Sequence, residues 1–182
     1  CNGILFNHES PLRGETFVSR KITRGIANIV HGNSDFISLG NLNAERDWGH
    51  AKDYVFGMYL MLQQDKPTDF VLSTGVKTSV REFVTLAFKE IGVEIKFQGK
   101  DLNEVGVVNK NYGKYNLKVG QIVVNIDSRY YRPSEVDLLL GDSSKAREIL
   151  KWKPKYNLKM LVKEMVDSDI NMIGNKDLDY KI

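Results

Sequence analysis

Short apolar runs alternate along this chain with stretches in which apolar residues recur every three or four positions. Ile4-Leu5-Phe6, Phe36-Ile37-Ser38-Leu39, Phe70-Val71-Leu72-Ser73 and Ile122-Val123-Val124-Asn125-Ile126 read as short strands. Phe17, Val18, Ile22, Ile26, Ile29 and Val30 fall at helical spacing, and His31-Gly32-Asn33 supplies a stop. A second helix covers residues 52–63, with Val55, Met58, Tyr59 and Leu62 on one face and Asp65-Lys66-Pro67 ending it. Ser79 and Glu82 form a capping-box pattern ahead of Val80, Phe83, Val84, Ala87, Phe88 and Ile91, and Gly92 closes that helix. Residues 94–98 alternate like an exposed or edge strand. Residues 100–121, rich in Asn, Gly, Lys and Tyr, predict a long loop or a loose hairpin. Asp142 or Ser143 is expected to cap a short helix through Leu150, which Lys153-Pro154 breaks. Leu158, Leu161, Val162, Met165, Val166 and Ile170 define the last helix, and the polar tail after Asn171 is expected to fray.

Strands alternating with helices define an α/β fold. The length, 182 residues, is enough for one domain with a proper core, and 42% hydrophobic with 27% charged residues is an ordinary globular balance. No run approaches the roughly 18 apolar residues of a membrane helix, and no signal segment opens the chain. The single cysteine, Cys1, excludes a disulfide within the chain and makes a cytoplasmic compartment the expectation. A net charge of +3 is too small to argue for nucleic acid. The chain opens on Cys1 and enters a strand at once, which suggests a fragment or a chain numbered from its first ordered residue.

Candidate chemistry gathers at two places. Asn7-His8-Glu9-Ser10-Pro11-Leu12-Arg13-Gly14 reads as a polar loop at the end of a strand, where α/β folds place ligands. Far downstream lie Arg129-Tyr130-Tyr131-Arg132-Pro133-Ser134-Glu135-Val136-Asp137 and Leu140-Gly141-Asp142-Ser143-Ser144-Lys145-Ala146. Arg and Lys suit phosphate oxygens, Arg as a fork and Lys as a point charge, while a carboxylate such as Glu135 accepts from ribose hydroxyls. Lys21, Arg46, Arg132 and Glu135 together fit a nucleoside diphosphate better than a bare phosphate. Each has a plainer alternative. Lys21 fits a solvated helix face, Arg46 a surface ion pair with Asp47, Arg132 and Glu135 caps on the next segment, and His8 a core histidine bonded to a carbonyl. No His-Glu-x-x-His spacing exists, since position 12 is Leu, and His31 and His50 lie on separate elements, so no metal site is expected. The chain holds no Gly-x-Gly-x-x-Gly loop and no Tyr followed four residues later by Lys.

The two clusters together resemble the GDP-mannose 4,6-dehydratase family of the extended short-chain dehydrogenase/reductase superfamily. Residues 39–55, Leu-Gly-Asn-Leu-Asn-Ala-Glu-Arg-Asp-Trp-Gly-His-Ala-Lys-Asp-Tyr-Val, are the most specific part of that resemblance. Gly3 to Pro11, Thr74-Gly75, Ser79 to Phe83, Tyr131 to Asp137, Gly141 to Ala146 and Trp152-Lys153-Pro154 add to it. The resemblance implies that residues 1–182 are the C-terminal portion of such an enzyme. They would comprise the last strands and helices of a Rossmann-type NAD(P)-binding fold interleaved with a small substrate-binding subdomain, without the N-terminal dinucleotide-binding half. It implies NADP contacts at His8 and Arg13. GDP-mannose contacts are implied at Asn7, Val18, Lys21, Arg46, Arg132 and Glu135. It further implies a homo-oligomer when full length, with neither nucleic acid nor membrane as partner. The family more often has two arginines before Gly14; here the first is Leu12, at a place the family uses for cofactor contacts between subunits.

The implied reaction is an internal redox dehydration. NADP takes hydride from C4 of the mannose, the 4-keto group acidifies C5, water leaves from C6, and the hydride returns to C6. GDP-4-keto-6-deoxy-mannose is the product. The family's catalytic Thr, Glu, Tyr and Lys have no counterparts in these residues, so the chain alone is expected to be inactive. Competing readings are another epimerase, reductase or dehydratase of the superfamily, a non-catalytic nucleotide-sugar-binding domain, and a structural remnant. A Gly-rich loop and a Tyr-x-x-x-Lys pair upstream would decide for the enzyme.

Overall fold

The computed structural model describes residues 1–131 and 138–175. Ten strands and five α-helices build three small sheets and two apolar clusters among those residues. Strand β1 (Gly3–Leu5) runs parallel to β5 (Phe70–Leu72), with Gly3 opposite Phe70. Parallel strands need a long crossover, and the connection ends in helix α2 (Ala51–Leu62), which packs against them. Tyr54, Met61, Phe70, Leu72, Ala146, Leu150 and Trp152 form the cluster beneath. Gly57 makes that approach possible: a Cβ there would stand 2.5 Å from Leu72 Cδ1.

The second sheet places β4 (Glu45–His50) at its centre. The strands β2 (Asn7–Glu9) and β10 (Leu138–Leu139) pair with it in parallel, and β6 (Lys77–Ser79) pairs antiparallel. Asn7 lies opposite Trp48, while Arg46 lies between Leu139 and Thr78. In the third sheet β3 (Ile37–Leu39) runs parallel to β9 (Ile122–Ile126). Beyond β9 come the antiparallel β8 (Val105–Asn111) and, at the edge, β7 (Val93–Gln98). Three helices cover the larger core: α1 (Val18–Val30), α3 (Val80–Glu90) and α5 (Leu158–Gly174). Ile22, Ile26, Phe83, Phe88, Val124, Leu161 and Met165 are buried there, each large side chain contributing about 1.5–3 kcal/mol. A short helix, α4 (Ser144–Ile149), completes the order.

Local signals match several expectations. Ser79 accepts from Glu82 N and Glu82 accepts from Ser79 N, a complete capping box. Gly32 takes φ +74° just past α1, and β7 is an edge strand. Other expectations are corrected. Of residues 100–121, expected as a long loop or a loose hairpin, 105–111 form strand β8, paired antiparallel on both sides with β7 and β9, so the hairpin alternative stands and the long-loop alternative does not. Asn7-His8-Glu9 is strand rather than loop, because its backbone pairs with Trp48-Gly49-His50. Segment 45–50, whose polar side chains hide it, is likewise a strand. Asp142, not Ser143, bonds the start of α4, accepting from Ser144 N at 2.9 Å and Ser144 Oγ at 2.6 Å. Ser143 Oγ donates instead to Ser73 O. Helix α5 continues past Ile170 to Gly174, and the tail from 176 lies outside the described residues.

Helix α2 holds the largest surprise. Val55, Met58, Tyr59 and Leu62 do share a face, but it points outward, and Phe56 beside it is exposed as well. The buried side carries Asp53, Tyr54, Gly57 and Met61.

Candidate functional site

Strand β2 carries the first site residues. His8 Nδ1 lies 2.9 Å from Phe6 O, so Nδ1 carries the proton and donates to that carbonyl. In the neutral ring the opposite nitrogen, Nε2, is then the acceptor. The ring stacks on Tyr54 with centroids 5.2 Å apart. Burial, with Asp47, Asp53 and Glu9 nearby, pushes the Tyr54 phenol up, which keeps it neutral. Its hydroxyl is buried with no hydrogen-bond partner among the described residues.

Glu9, next on the strand, points inward and is fully enclosed. It accepts from Ser19 Oγ at 2.5 Å and stands 3.2 Å from Arg13 Nε, tying the loop after β2 to the first turn of α1. The Arg13 guanidinium lies 3.5 Å from the centre of the Phe17 ring. Arg20 fixes the same loop from below: Nη1 donates to Pro11 O and to Arg13 O. Its Nε and Nη2 bind Asp169 of α5 at 2.8–3.0 Å, where Thr23 Oγ1 also donates at 2.6 Å. Burial pushes the Asp169 carboxyl up, against the opposing pull of Thr23 and Arg20. Sequence reading missed Glu9, Arg20 and Asp169 as loop supports. For Arg20 and Asp169 the signal is a charged residue on an otherwise apolar helical face, and for Glu9, on strand β2, there is none; only the structure resolves the three into partners.

Asn7, His8 and Arg13 line one cleft of about 310 Å³ with Leu5, Phe6 and Leu139. Arg46 joins through the sheet, as the backbone neighbour of Leu139, and its Nη1 donates to Glu45 O at 2.8 Å. Asp47 is not the surface partner considered for it. That carboxylate is fully buried and accepts from Thr74 N, Thr74 Oγ1 and Gly75 N.

Val18 and Lys21 lie one turn apart on α1. Val18 packs on the main core. The Lys21 ammonium stands 3.0 Å from the centre of the Tyr130 ring; burial lowers its pKa, with Tyr130 and Asp127 opposing. Gly40 leaves no room for a Cβ against the Tyr130 backbone, so that ring is held close. Arg132 and Glu135 lie outside the described residues. Among the described residues, no group of three or more His, Cys, Asp or Glu side chains could hold a metal. No helix there is long and apolar enough to cross a membrane.

A cleft at the ends of parallel strands, lined by Asn, His and Arg, is the ligand position of an open α/β sheet. Solved structures share this fold. RMD from Pseudomonas aeruginosa, complexed with NADPH, superposes with TM-score 0.71 at 16% identity, over 93% of this chain and 48% of that one. The dTDP-glucose 4,6-dehydratase of Bacillus anthracis, in complex with NAD, gives 0.67 at 14%, over 97% and 45%. The chain has the fold shared by these two enzymes.

Sequence comparison narrows the class. The family model for GDP-mannose 4,6 dehydratase matches residues 1–165. The GDP-mannose 4,6-dehydratase of Yersinia enterocolitica is 55% identical over 172 residues, 93% of this chain and 46% of that protein. For the GDP-mannose 4,6 dehydratase of Dictyostelium discoideum the identity is 56% over 177 residues, 97% of this chain and 48% of that protein. The chain belongs to the GDP-mannose 4,6-dehydratase family and spans about half the length of the curated relatives it matches.

Proposed function

We propose that this chain is the nucleotide-sugar-binding half of a GDP-mannose 4,6-dehydratase, converting GDP-mannose to GDP-4-keto-6-deoxy-mannose and water. The observation that carries this reading is the cleft in which Asn7, His8 and Arg13 meet, beside the strand bearing Arg46, in a chain of this family. The last Rossmann-type strands and the substrate-binding subdomain interleave within residues 1–182 on this reading.

The cleft's donor set fits NADP. Arg13 holds a cation at its wall, beside a Glu9 already bonded to Ser19, and His8 offers an acceptor nitrogen set by its bond to Phe6 O. His8 and Arg13 would hold the cofactor, which when bound supplies the hydride acceptor and return donor of a reaction without net oxidation. The chain's own residues bind and orient. Arg46 and Arg132 clamp the diphosphate, and Lys21 adds a point charge that its seat on Tyr130 keeps partly desolvated. Glu135 accepts from ribose hydroxyls, Asn7 bonds polar atoms of the nucleotide sugar, and Val18 supplies an apolar wall. Holding the non-reacting end fixed turns the chemistry at the sugar into an effectively unimolecular event. The enzyme works in the cytoplasm as a homo-oligomer, with Leu12, 87% exposed, at the surface where the family's subunits meet.

The test is to join the chain to the N-terminal half of a relative and assay products by mass. GDP-mannose should lose one water, and dTDP-glucose should not react. Reaction with dTDP-glucose alone would move the chain to another dehydratase. The chain without that half should turn over neither substrate, lacking the phosphate loop and the Tyr–Lys pair.

A further inference from the structure

Gly49 is a glycine for space rather than for backbone freedom. Among the described residues five glycines take a positive φ, and Gly49 is not one of them. It lies directly opposite His8 in the parallel pairing of β2 with β4. A side chain there would leave the sheet on the same face as the imidazole. Tyr54, from the first turn of α2, takes that space instead. A Cβ at Gly49 would overlap Tyr54 Cε2 and stand 2.8 Å from the Tyr54 hydroxyl oxygen and 3.0 Å from Thr74 Cγ2.

The Tyr54 ring is firmly seated. It is fully buried. Trp152 meets it edge-on with centroids 5.9 Å apart, and Trp152 is itself anchored, donating Nε1 to Asp53 O at 2.8 Å. The Tyr54 hydroxyl has no hydrogen-bond partner among the described residues, so the seat does not depend on it. Burial, with Asp47, Asp53 and Glu9 nearby, pushes the phenol up and keeps it neutral, so the ring offers the same face across ordinary pH.

His8 rests on that face. Its bond from Nδ1 to Phe6 O fixes one atom of the imidazole and leaves the ring plane free to turn about that point. Stacking on Tyr54, with planes 28° apart, fixes the plane. The two contacts together hold the far side of the ring in one place at the cleft it lines. A recognition side chain needs such support, since a site works only when its groups are held within about 0.5 Å of the productive geometry.

We propose that Tyr54 is a positioning residue of the cofactor site, acting through His8, and that Gly49 is the gap that lets its ring reach the imidazole. This rests on the reading of His8 as a cofactor contact. Tyr54 itself does not line the cleft. Its aromatic ring, and not its hydroxyl, carries the role.

Two readouts test this. The chain has three histidines, so the His8 Cε1–H signal is assigned by its loss in His8→Ala. The Tyr54 ring current shifts that signal. Tyr54→Leu should therefore move it and Tyr54→Phe should leave it nearly in place, while the signal of His31, bonded to Ile170 O, stays in both. The second readout is the Kd of NADP for the chain joined to a relative's N-terminal half. Tyr54→Leu and Gly49→Ala should each raise it about 3- to 10-fold, the weight of one neutral hydrogen bond, with Tyr54→Phe close to the parent. GDP should bind all three variants as it binds the parent. Added to His8→Ala, Tyr54→Leu should cost nothing further, because the ring acts only through the imidazole. An unmoved His8 signal in Tyr54→Leu overturns the assignment. So do additive losses in the double variant, a Tyr54→Phe as weak as Tyr54→Leu, or GDP weakened alongside NADP, which is what a packing role alone gives. A Kd for NADP unchanged in His8→Ala strikes the cofactor reading of His8 instead, while a moved signal still identifies Tyr54 as what holds the ring.

Discussion

Replacing Asp169 with Ala should unfold the chain more readily than any surface change and should loosen the site loop with it. The carboxylate receives Arg20 Nε, Arg20 Nη2 and Thr23 Oγ1, and it is wholly buried. Arg20 is 5% exposed, so the variant leaves a guanidinium without its counter-ion in the interior. Breaking one side of a buried pair costs about 3–5 kcal/mol, a large share of the 5–15 kcal/mol typical of a domain. Because burial pushes Asp169 up even beside its partners, the pair itself contributes little net stability. Exchanging both residues, Arg20→Leu with Asp169→Leu, should therefore cost much less than Asp169→Ala alone. Equilibrium urea unfolding at low protein concentration, followed by tryptophan fluorescence, gives the three free energies. A loss under about 1 kcal/mol for Asp169→Ala, the size of an exposed pair, would refute the reasoning, and so would a double variant as weak as the single.

Two further outcomes follow from exposed features. The outward face of α2 carries Val55, Phe56, Met58, Tyr59 and Leu62, and β1 and β5 form a two-stranded parallel sheet where such sheets are normally covered on both faces. The chain should self-associate as concentration rises, and Val55→Glu with Leu62→Glu should return it to monomer in sedimentation; a wild-type chain that stays monomeric contradicts this. The Asp127 carboxyl is held down to about 2 by side-chain hydrogen bonds from Arg129, aided by the Arg129 backbone N–H. Its folded value lies below the unfolded one, so its contribution is complete above the unfolded value, about 3.9, and disappears as pH falls toward 2. Carbon-13 titration should find that low midpoint, rising in Arg129→Ala; a midpoint near 4 in the parent chain would refute the contact.

The sequence announces helices better than strands here, for a physical reason. In α1 and α3, apolar residues repeat at helical spacing, with a glycine stop just past α1 and the Ser79–Glu82 box opening α3, so both were legible. Strands β2, β4 and β6 are held by backbone pairing in a sheet whose side chains are polar, and Asn7-His8-Glu9 or Lys77-Thr78-Ser79 offers no alternation to read. Strand β8 escaped because Gly106 and Asn109 interrupt its valines, although Gly106 is there to let Phe97 and Val124 close over it. The apolar face of α2 was legible but its direction was not, since apolar residues surround the whole helix and only Gly57 betrays the packed side. At the site, the family resemblance singled out Asn7, His8 and Arg13, which the structure brings together in one cleft. The buried supports Glu9 and Arg20 sit on consecutive elements, but Asp169 comes from the far end of the chain, and no spacing rule joins the three.

The most direct test of the account is the KM for GDP-mannose of the chain joined to a relative's N-terminal half, measured with and without Arg132→Ala. Arg132 is assigned to the diphosphate, the part of the substrate that does not react. Its loss should weaken ground and transition states alike and raise KM more than it lowers kcat. A charge-assisted contact of about 1.5–3 kcal/mol corresponds to a KM roughly 10- to 150-fold higher. An unchanged KM, with circular dichroism intact, would remove Arg132 from the site and contradict the assignment of this chain as the nucleotide-sugar-binding half.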